Sequence, residues 1–184
     1  RQAAFPPLPP NVAALDRSFL IYFEHRVDDT RKTTAGWRAI QKYAVHAGGG
    51  HNHRFGLYDG VLIKDNHIIA AGSIAQAIEK VKSTVPHTMK IEIEVETLDQ
   101  VEEALHAGAD ILLLDNMPVN FMKQAVKKIA GRAVVEASGG INSKNISAFF
   151  FLIRRARQHS RRKSRCSLIA TLYSLAHLTE SHVR

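Results

Sequence analysis

The chain has 184 residues, 45% of them hydrophobic and 23% charged, which is one domain's length and excludes a disordered or fibrous class. The formal charge is +8, but residues 150–184 set Arg154, Arg155, Arg157, Arg161, Arg162, Lys163, Arg165 and Arg184 against Glu180 alone, so the bulk is nearly neutral. Cys166 is the only cysteine, which excludes an internal disulfide, and no apolar run approaches the ~18–20 residues of a membrane span. With no secretory signal at its start, the expected location is cytoplasmic.

Residues 1–26 read as an irregular N-terminal segment. Phe5-Pro-Pro-Leu-Pro-Pro10 favours extended polyproline, and Asn11 to Tyr22 suits a short helix. A linker outweighs a ligand for a partner domain. Val27 to Thr30 reads as the end of a strand, and Thr34 to His46 as a helix with Trp37, Ile40 and Ala44 on one side, broken by Gly48-Gly-Gly50. Val61-Leu-Ile63 is a short apolar strand ending at Lys64. Ser73 with Gln76 predicts a capped helix from Ile74 to Ser83.

A regular alternation follows. Lys90 to Glu96 is a strand of strict period two, and Thr97 with Gln100 caps a helix through His106, closed by Gly108. Ile111 to Leu114 is a continuous apolar strand ending in Asp115. Pro118 to Ala130 is a helix closed by Gly131. Ala133 to Ala137 is a strand, followed by Ser138-Gly-Gly140 and a helix start near Asn142. Strands recurring about every 21 residues with one helix between them predict parallel βαβ units. Past Phe149 the period stops. Residues 150–184 read as a basic tail, with an amphipathic helix expected from Ser167 to Leu178.

Glu92, Glu94 and Glu96 share one face of their strand, and Ile91, Ile93 and Val95 the other. An open doubly wound sheet buries both faces of its central strands, where three acids on one face are costly. A barrel tolerates them where its interior opens into a site. The expected fold is therefore α/β, a complete or partial (β/α) barrel spanning residues 27–149. The competing explanation is an edge strand with one wet face.

Ligands of parallel α/β folds bind beyond the carboxyl ends of the strands. Lys64 and Asp65, Glu94 and Glu96, Asp115, and Ser138-Gly-Gly140 fall there. From Thr30 to His67 the chain also concentrates Arg31, Lys32, His51, His53, Arg54, Lys64 and His67 around turn glycines. That cluster suits a small polyanion: a polycarboxylate, a phosphate or both. The Ser-Gly-Gly turn suits a phosphate, since its backbone N–H groups can face an anion. Glu94 and Asp115, on neighbouring strands, can hold sugar hydroxyls, place Mg²⁺ near a diphosphate, or stabilise a cationic transition state. A zinc site at His51, His53 and His67 is not expected, for want of a second cysteine or a metal-binding helix motif.

In order, Asp29-Thr-Arg-Lys-Thr-Thr34, Lys42-Tyr-Ala-Val45, Gly48-Gly-Gly-His-Asn-His-Arg-Phe-Gly-Leu57, Leu62-Ile-Lys-Asp-Asn-His67, Lys90-Ile-Glu-Ile-Glu-Val95, Leu112-Leu-Leu-Asp-Asn116 and Val135-Glu-Ala-Ser-Gly-Gly-Ile141 resemble the quinolinate phosphoribosyltransferases. The resemblance covers about residues 28–148. It implies the partial, TIM-like (β/α) barrel of type II phosphoribosyltransferases, incomplete at both ends. It further implies phosphoribosyl transfer from phosphoribosyl pyrophosphate (PRPP) to quinolinate with decarboxylation, yielding nicotinate mononucleotide, pyrophosphate and carbon dioxide for NAD synthesis. Carried over by motif, Arg31, His53, Arg54 and Lys64 hold the quinolinate carboxylates, with Thr30 and Lys32 in the same binding loop. Glu94 and Asp115 lie near the ribose and its Mg²⁺, and Ser138, Gly139 and Gly140 bind phosphate. Lys32, Lys64, Glu94 and Asp115 are the expected catalytic set. No direct protein–metal ligand and no organic cofactor are implied, and the family's active form is a homodimer.

The departures lie at the ends. The family's N-terminal sandwich domain, which lends an arginine to the partner subunit, has no match in residues 1–27. Its further strand and second phosphate loop have none in residues 150–184. This pattern predicts a truncated or frame-shifted product that keeps the binding residues without a complete catalytic site. Two other readings stand beside it: a relative from molybdate transport loci, and a non-catalytic barrel remnant that binds RNA or another polyanion through Arg154–Arg165. A solvated tail explains those arginines more simply, so nucleic acid and membrane partners are not expected.

Overall fold

The computed structural model describes residues 26–141 and 166–169. The expectations for residues 1–25, for a helix from Asn142 and for most of the arginine-rich segment lie outside the described residues. The strands are β1 (Arg26–Asp28), β2 (Val61–Ile63), β3 (Ile91–Val95), β4 (Ile111–Asp115), β5 (Val134–Ser138) and β6 (Cys166–Ile169). The helices are α1 (Arg38–Ala47), α2 (Asp65–Ala71), α3 (Ile74–Lys82), α4 (Leu98–His106) and α5 (Val119–Ile129). No helix among the described residues is long and apolar enough to cross a membrane.

All strand pairs are parallel, and the sheet order is β1-β6-β5-β4-β3-β2. From β2 to β6 every strand lies beside its successor in the chain. Among the described residues, right-handed crossovers that step the same way put α3, α4 and α5 on one face, where they share a core with the strands. The other face is left to curl on itself, as in a barrel. β6 then lies beside β1, so the ring is open only at the seam between β1 and β2. There a single bridge joins Asp28 to His51, and the Asp29 N–H donates to the His51 carbonyl at 3.0 Å.

Period two in the strands separates two kinds of chemistry. Ile91, Ile93, Val95, Leu112, Leu114, Val135 and Ala137 face the helices and share one core with Ile74, Ile78, Val101, Met122 and Ile129. Ile93 and Leu112 are fully buried, each contributing about 1.5–3 kcal/mol of hydrophobic stabilisation. The alternate residues Glu92, Glu94, Leu113, Asp115, Glu136 and Ser138 face the interior of the ring, in register across β3, β4 and β5. Three acids on one face of β3 therefore meant a barrel interior, as the sequence predicted.

Local signals account for the helix ends. Ser73 Oγ accepts from the Gln76 N–H at 3.2 Å, and Thr97 with Gln100 forms a reciprocal capping box. α5 ends at Ala130 and Gly131, both in the left-handed region (φ 49° and 79°).

Three elements differ from expectation. α1 starts at Arg38, because Gly36 (φ 78°) completes a turn in which the Trp37 N–H donates to the Thr34 carbonyl. Its buried residues are Lys42 and Val45, while Trp37 and Ile40 are exposed. α2 was not foreseen: it is seven residues long and buries none of them, so no amphipathic stripe marks it. Cys166–Ile169 is a strand where a helix was expected from Ser167, and the sheet thus extends past the predicted boundary at residue 149. The cause lies in the tertiary structure, since β5 and β1 both present backbone edges that one short strand satisfies.

Candidate functional site

The strand tips open toward one rim. Along β3 the inward acids pass from buried Glu92 through half-buried Glu94 to exposed Glu96, so the interior widens toward the carboxyl ends. Lys64 follows β2, and its Nζ donates to Glu94 Oε1 at 2.5 Å across the β2–β3 pair. One strand further, Asp115 closes β4 in register with Ser138 on β5.

The turn after β5 is shaped by its neighbour. Gly139 (φ 88°) lies so close to Asn116 that a Cβ would overlap Asn116 Oδ1 and stand 2.7 Å from its backbone nitrogen. Asn116 is itself left-handed (φ 50°), donates its N–H to the Ser138 carbonyl at 3.0 Å, and gives its side-chain amide to Asp115 Oδ2 at 2.8 Å. Asp115 and the Ser-Gly-Gly turn are therefore held as one unit. A Cβ on Gly140 (φ 63°) would meet nothing within 4 Å, so open space lies beside the turn.

The cationic wall occupies the seam. His53 Nε2 stands 3.0 Å from Glu92 Oε2 and 3.6 Å from Glu136 Oε2. Burial opposes its protonation, but the Glu92 hydrogen bond and the charges of Glu92, Glu136 and Asp28 outweigh that, and the imidazole pKa lies above its usual value of 6.5. Arg54 Nη1 donates to the Gly60 carbonyl at 3.1 Å, while buried Nε lacks a hydrogen-bond partner among the described residues. Burial lowers the Arg54 pKa below its ordinary value. Glu92, Asp59 and Glu94 act against that and neighbouring Arg31 with it, so Arg54 feels both the acids and a second guanidinium. Asp59 ties the following loop by accepting the Phe55 and Gly56 N–H groups at 2.6 and 2.8 Å. Burial works against its ionisation, yet those bonds keep its carboxyl below the ordinary value.

Thr30 Oγ1 accepts the Lys32 N–H at 2.9 Å and so bends the loop that carries Arg31 and Lys32. Lys32 is exposed and forms no ion pair among the described residues. Of the predicted site residues, His53, Arg54, Lys64 and Glu94 are thus joined through the inner acids. Asp115 and Ser138–Gly140 form a second unit one strand away, and Thr30, Arg31 and Lys32 form a rim loop.

Two features carried no role in the sequence reading. Lys42 Nζ is buried and donates to Asp29 Oδ1 (2.6 Å) and to the His53 and Arg54 carbonyls (3.0 and 3.2 Å). No local signal marks it, since a lysine on a helix is exposed by default. Glu136 and Glu92 flank His53, and His53 Nε2 with one carboxylate oxygen from each forms a group spaced within 4.8 Å, compact enough for a metal ion. His51 and His67 are not part of it, and His67 Nδ1 accepts the Lys64 N–H at 3.0 Å.

Comparison with known proteins agrees with this fold. Residues 12–152 match the family model "Quinolinate phosphoribosyl transferase, C-terminal domain". The chain is 50% identical over 124 residues to the probable nicotinate-nucleotide pyrophosphorylase (carboxylating) of Bacillus subtilis, covering 67% of this chain and 43% of that protein. It is 37% identical over 126 residues to the human nicotinate-nucleotide pyrophosphorylase (carboxylating), 42% of which it covers. The crystal structure of NadC from Streptococcus pyogenes superposes with a TM-score of 0.75 at 38% identity, over 90% of this chain and 55% of that one. The chain thus spans less than half the length of the curated relatives it matches.

Proposed function

The chain belongs to the quinolinate phosphoribosyltransferase family, and from that premise we propose that its barrel binds quinolinate and PRPP and transfers the phosphoribosyl group to the pyridine nitrogen. The observation that carries the reading is a cationic wall, with His53 against the inner acids Glu92 and Glu136 and Lys64 against Glu94 and Arg54 beside them, and Asp115 and a glycine turn one strand on.

A pyridine dicarboxylate needs several fixed donors in a site poor in water. Arg54 retains the Nε donor, His53 is biased toward its charged form, and Arg31 and Lys32 stand at the rim. Lys64 reaches the substrate by sharing its ammonium with Glu94. Attack of the ring nitrogen on the anomeric carbon expels pyrophosphate through an oxocarbenium-like state, which the carboxylates of Glu94 and Asp115 favour. The quaternised nitrogen then accepts the electron pair left when the adjacent carboxylate departs as carbon dioxide, and a proton takes its place on carbon. Ser138, Gly139 and Gly140 receive the phosphate. Glu94 and Asp115 are hard oxygen donors beside this turn, and they suit Mg²⁺ that arrives with the diphosphate and keeps its own waters. Mg²⁺ would neutralise the leaving pyrophosphate.

A homodimer and a cytoplasmic site of action belong to the same reading. Exposed Trp37, Ile40, Leu57 and Tyr58, close in sequence to the wall, support a covered face, and the lone cysteine suits a reducing compartment. The test is incubation of the chain with quinolinate, PRPP and Mg²⁺. Formation of nicotinate mononucleotide and carbon dioxide, abolished in Arg54→Ala with the fold intact, supports transfer. Quinolinate binding without turnover supports a binding barrel that lacks groups from elsewhere. Absence of both overturns the reading.

A further inference from the structure

We propose that the buried Asp29–Lys42 ion pair is the positioning device of the cationic wall, setting where His53 and Arg54 stand and so which dianion the site accepts. This rests on the function proposed above. Lys42 and Asp29 are each nearly inaccessible, and neither is offered to a ligand. The three protons of the Lys42 ammonium match its three acceptors: Asp29 Oδ1 and the carbonyls of His53 and Arg54. Asp29 Oδ1 also accepts the His53 N–H at 2.7 Å, and the Asp29 N–H donates to the His51 carbonyl at 3.0 Å. Four backbone groups of residues 51–54 are therefore fixed by one acid from the end of β1 and one base from α1.

No strand ladder does this work at the seam, because β1 and β2 are not neighbours in the sheet. α1 buries only Lys42 and Val45 and leaves Trp37 and Ile40 exposed, so its inward face delivers a charge rather than an apolar stripe. A buried ion pair is weak as a source of stability, and apolar residues of the same volume often replace one without loss. What such residues cannot replace is a point donor that holds two successive carbonyls. On the far side of those carbonyls, His53 meets Glu92 and Arg54 meets Gly60. A shift of about 1 Å there would misalign both donors with a planar dicarboxylate.

The experiment uses the double variant Asp29→Asn with Lys42→Met, which leaves net charge unchanged, and compares it with the native chain. Quinolinate and PRPP binding are measured by calorimetry, and the His53 imidazole is titrated by NMR. The expected result is quinolinate affinity lower by tenfold or more, PRPP affinity within twofold of native, and a His53 pKa falling toward 6.5 as the ring leaves Glu92. A folded variant with native His53 titration and native quinolinate affinity overturns the proposal, as does equal loss of both ligands. Should the double variant not fold, Asp29→Asn alone, which leaves Lys42 its two carbonyls, carries the same measurements. If the native chain binds no quinolinate, the proposed function fails, while the His53 titration still decides whether the pair positions the ring.

Discussion

Lys64 Nζ donates to Glu94 Oε1 at 2.5 Å, joining the tip of β2 to the tip of β3 at the rim of the barrel. The lysine is 40% exposed and the glutamate 17%, so the pair stabilises the fold little. Its importance lies in the competition between Glu94 and an incoming carboxylate for one ammonium. Lys64→Ala is expected to weaken quinolinate binding by about 1.5–3 kcal/mol, the range for a hydrogen bond to a charged group. Glu94→Gln is expected to do the opposite to binding, tightening it severalfold while lowering kcat. Calorimetry and steady-state kinetics on the two variants check the opposed signs.

His53 gives the site a pH signature. Its pKa in the folded chain is above the ordinary 6.5, since the hydrogen bond to Glu92 and the nearby acids outweigh burial. The imidazolium therefore contributes stability that is fully present below about pH 6.5 and is lost as pH rises through the raised folded value. Quinolinate affinity should fall over the same window as the ring loses its charge. Urea unfolding and binding measured from pH 5 to 9, for the native chain and His53→Gln, test this. The variant is expected to lose that part of the pH dependence.

Gly139 and Gly140 are adjacent, left-handed and unequal. A Cβ at Gly139 collides with Asn116, whereas one at Gly140 enters open space. Gly140→Ala should cost only the backbone penalty, about 1 kcal/mol. Gly139→Ala should cost more, about 2–4 kcal/mol, and should also displace Asp115 through Asn116. Denaturant midpoints rank the two, and PRPP affinity should follow the same order.

On the opposite face of the sheet, Ile93→Ala should destabilise by about 2–5 kcal/mol, because the side chain is fully buried between β3 and the helices. Ligand affinities of the folded fraction should be unchanged. Thermal unfolding paired with calorimetry separates the two effects.

Much of this was legible from periodicity. Alternation from Lys90 to Glu96 revealed both faces of β3, and the caps at Ser73 and Thr97 located two helices. Cation density beside turn glycines marked the stretch from Thr30 to His67, while the wall residues within it were named from the family resemblance. Other parts were hidden. The role of Lys42 is hidden because a lysine is exposed by default, and only the tertiary position of Asp29 makes it a buried donor. Trp37, Ile40 and Ala44 read as one side of the helix, yet the residues α1 buries are Lys42 and Val45. β6 carries no signal of its own, since its pairing with β1 joins residues far apart in the chain. Glu136 sat in an apolar strand with nothing local to tie it to His53.

The strict division of β3 into odd-numbered aliphatics outside and even-numbered acids inside has a consequence for insertions and deletions. Loss of one residue before Ile91 would rotate the whole strand by half a turn. The carboxylates would enter the oily layer under α3 and α4, and the aliphatics would line the cavity. Frame-preserving changes of a single codon there should be far more damaging than substitutions, because each exchanges the roles of every side chain on the strand at once.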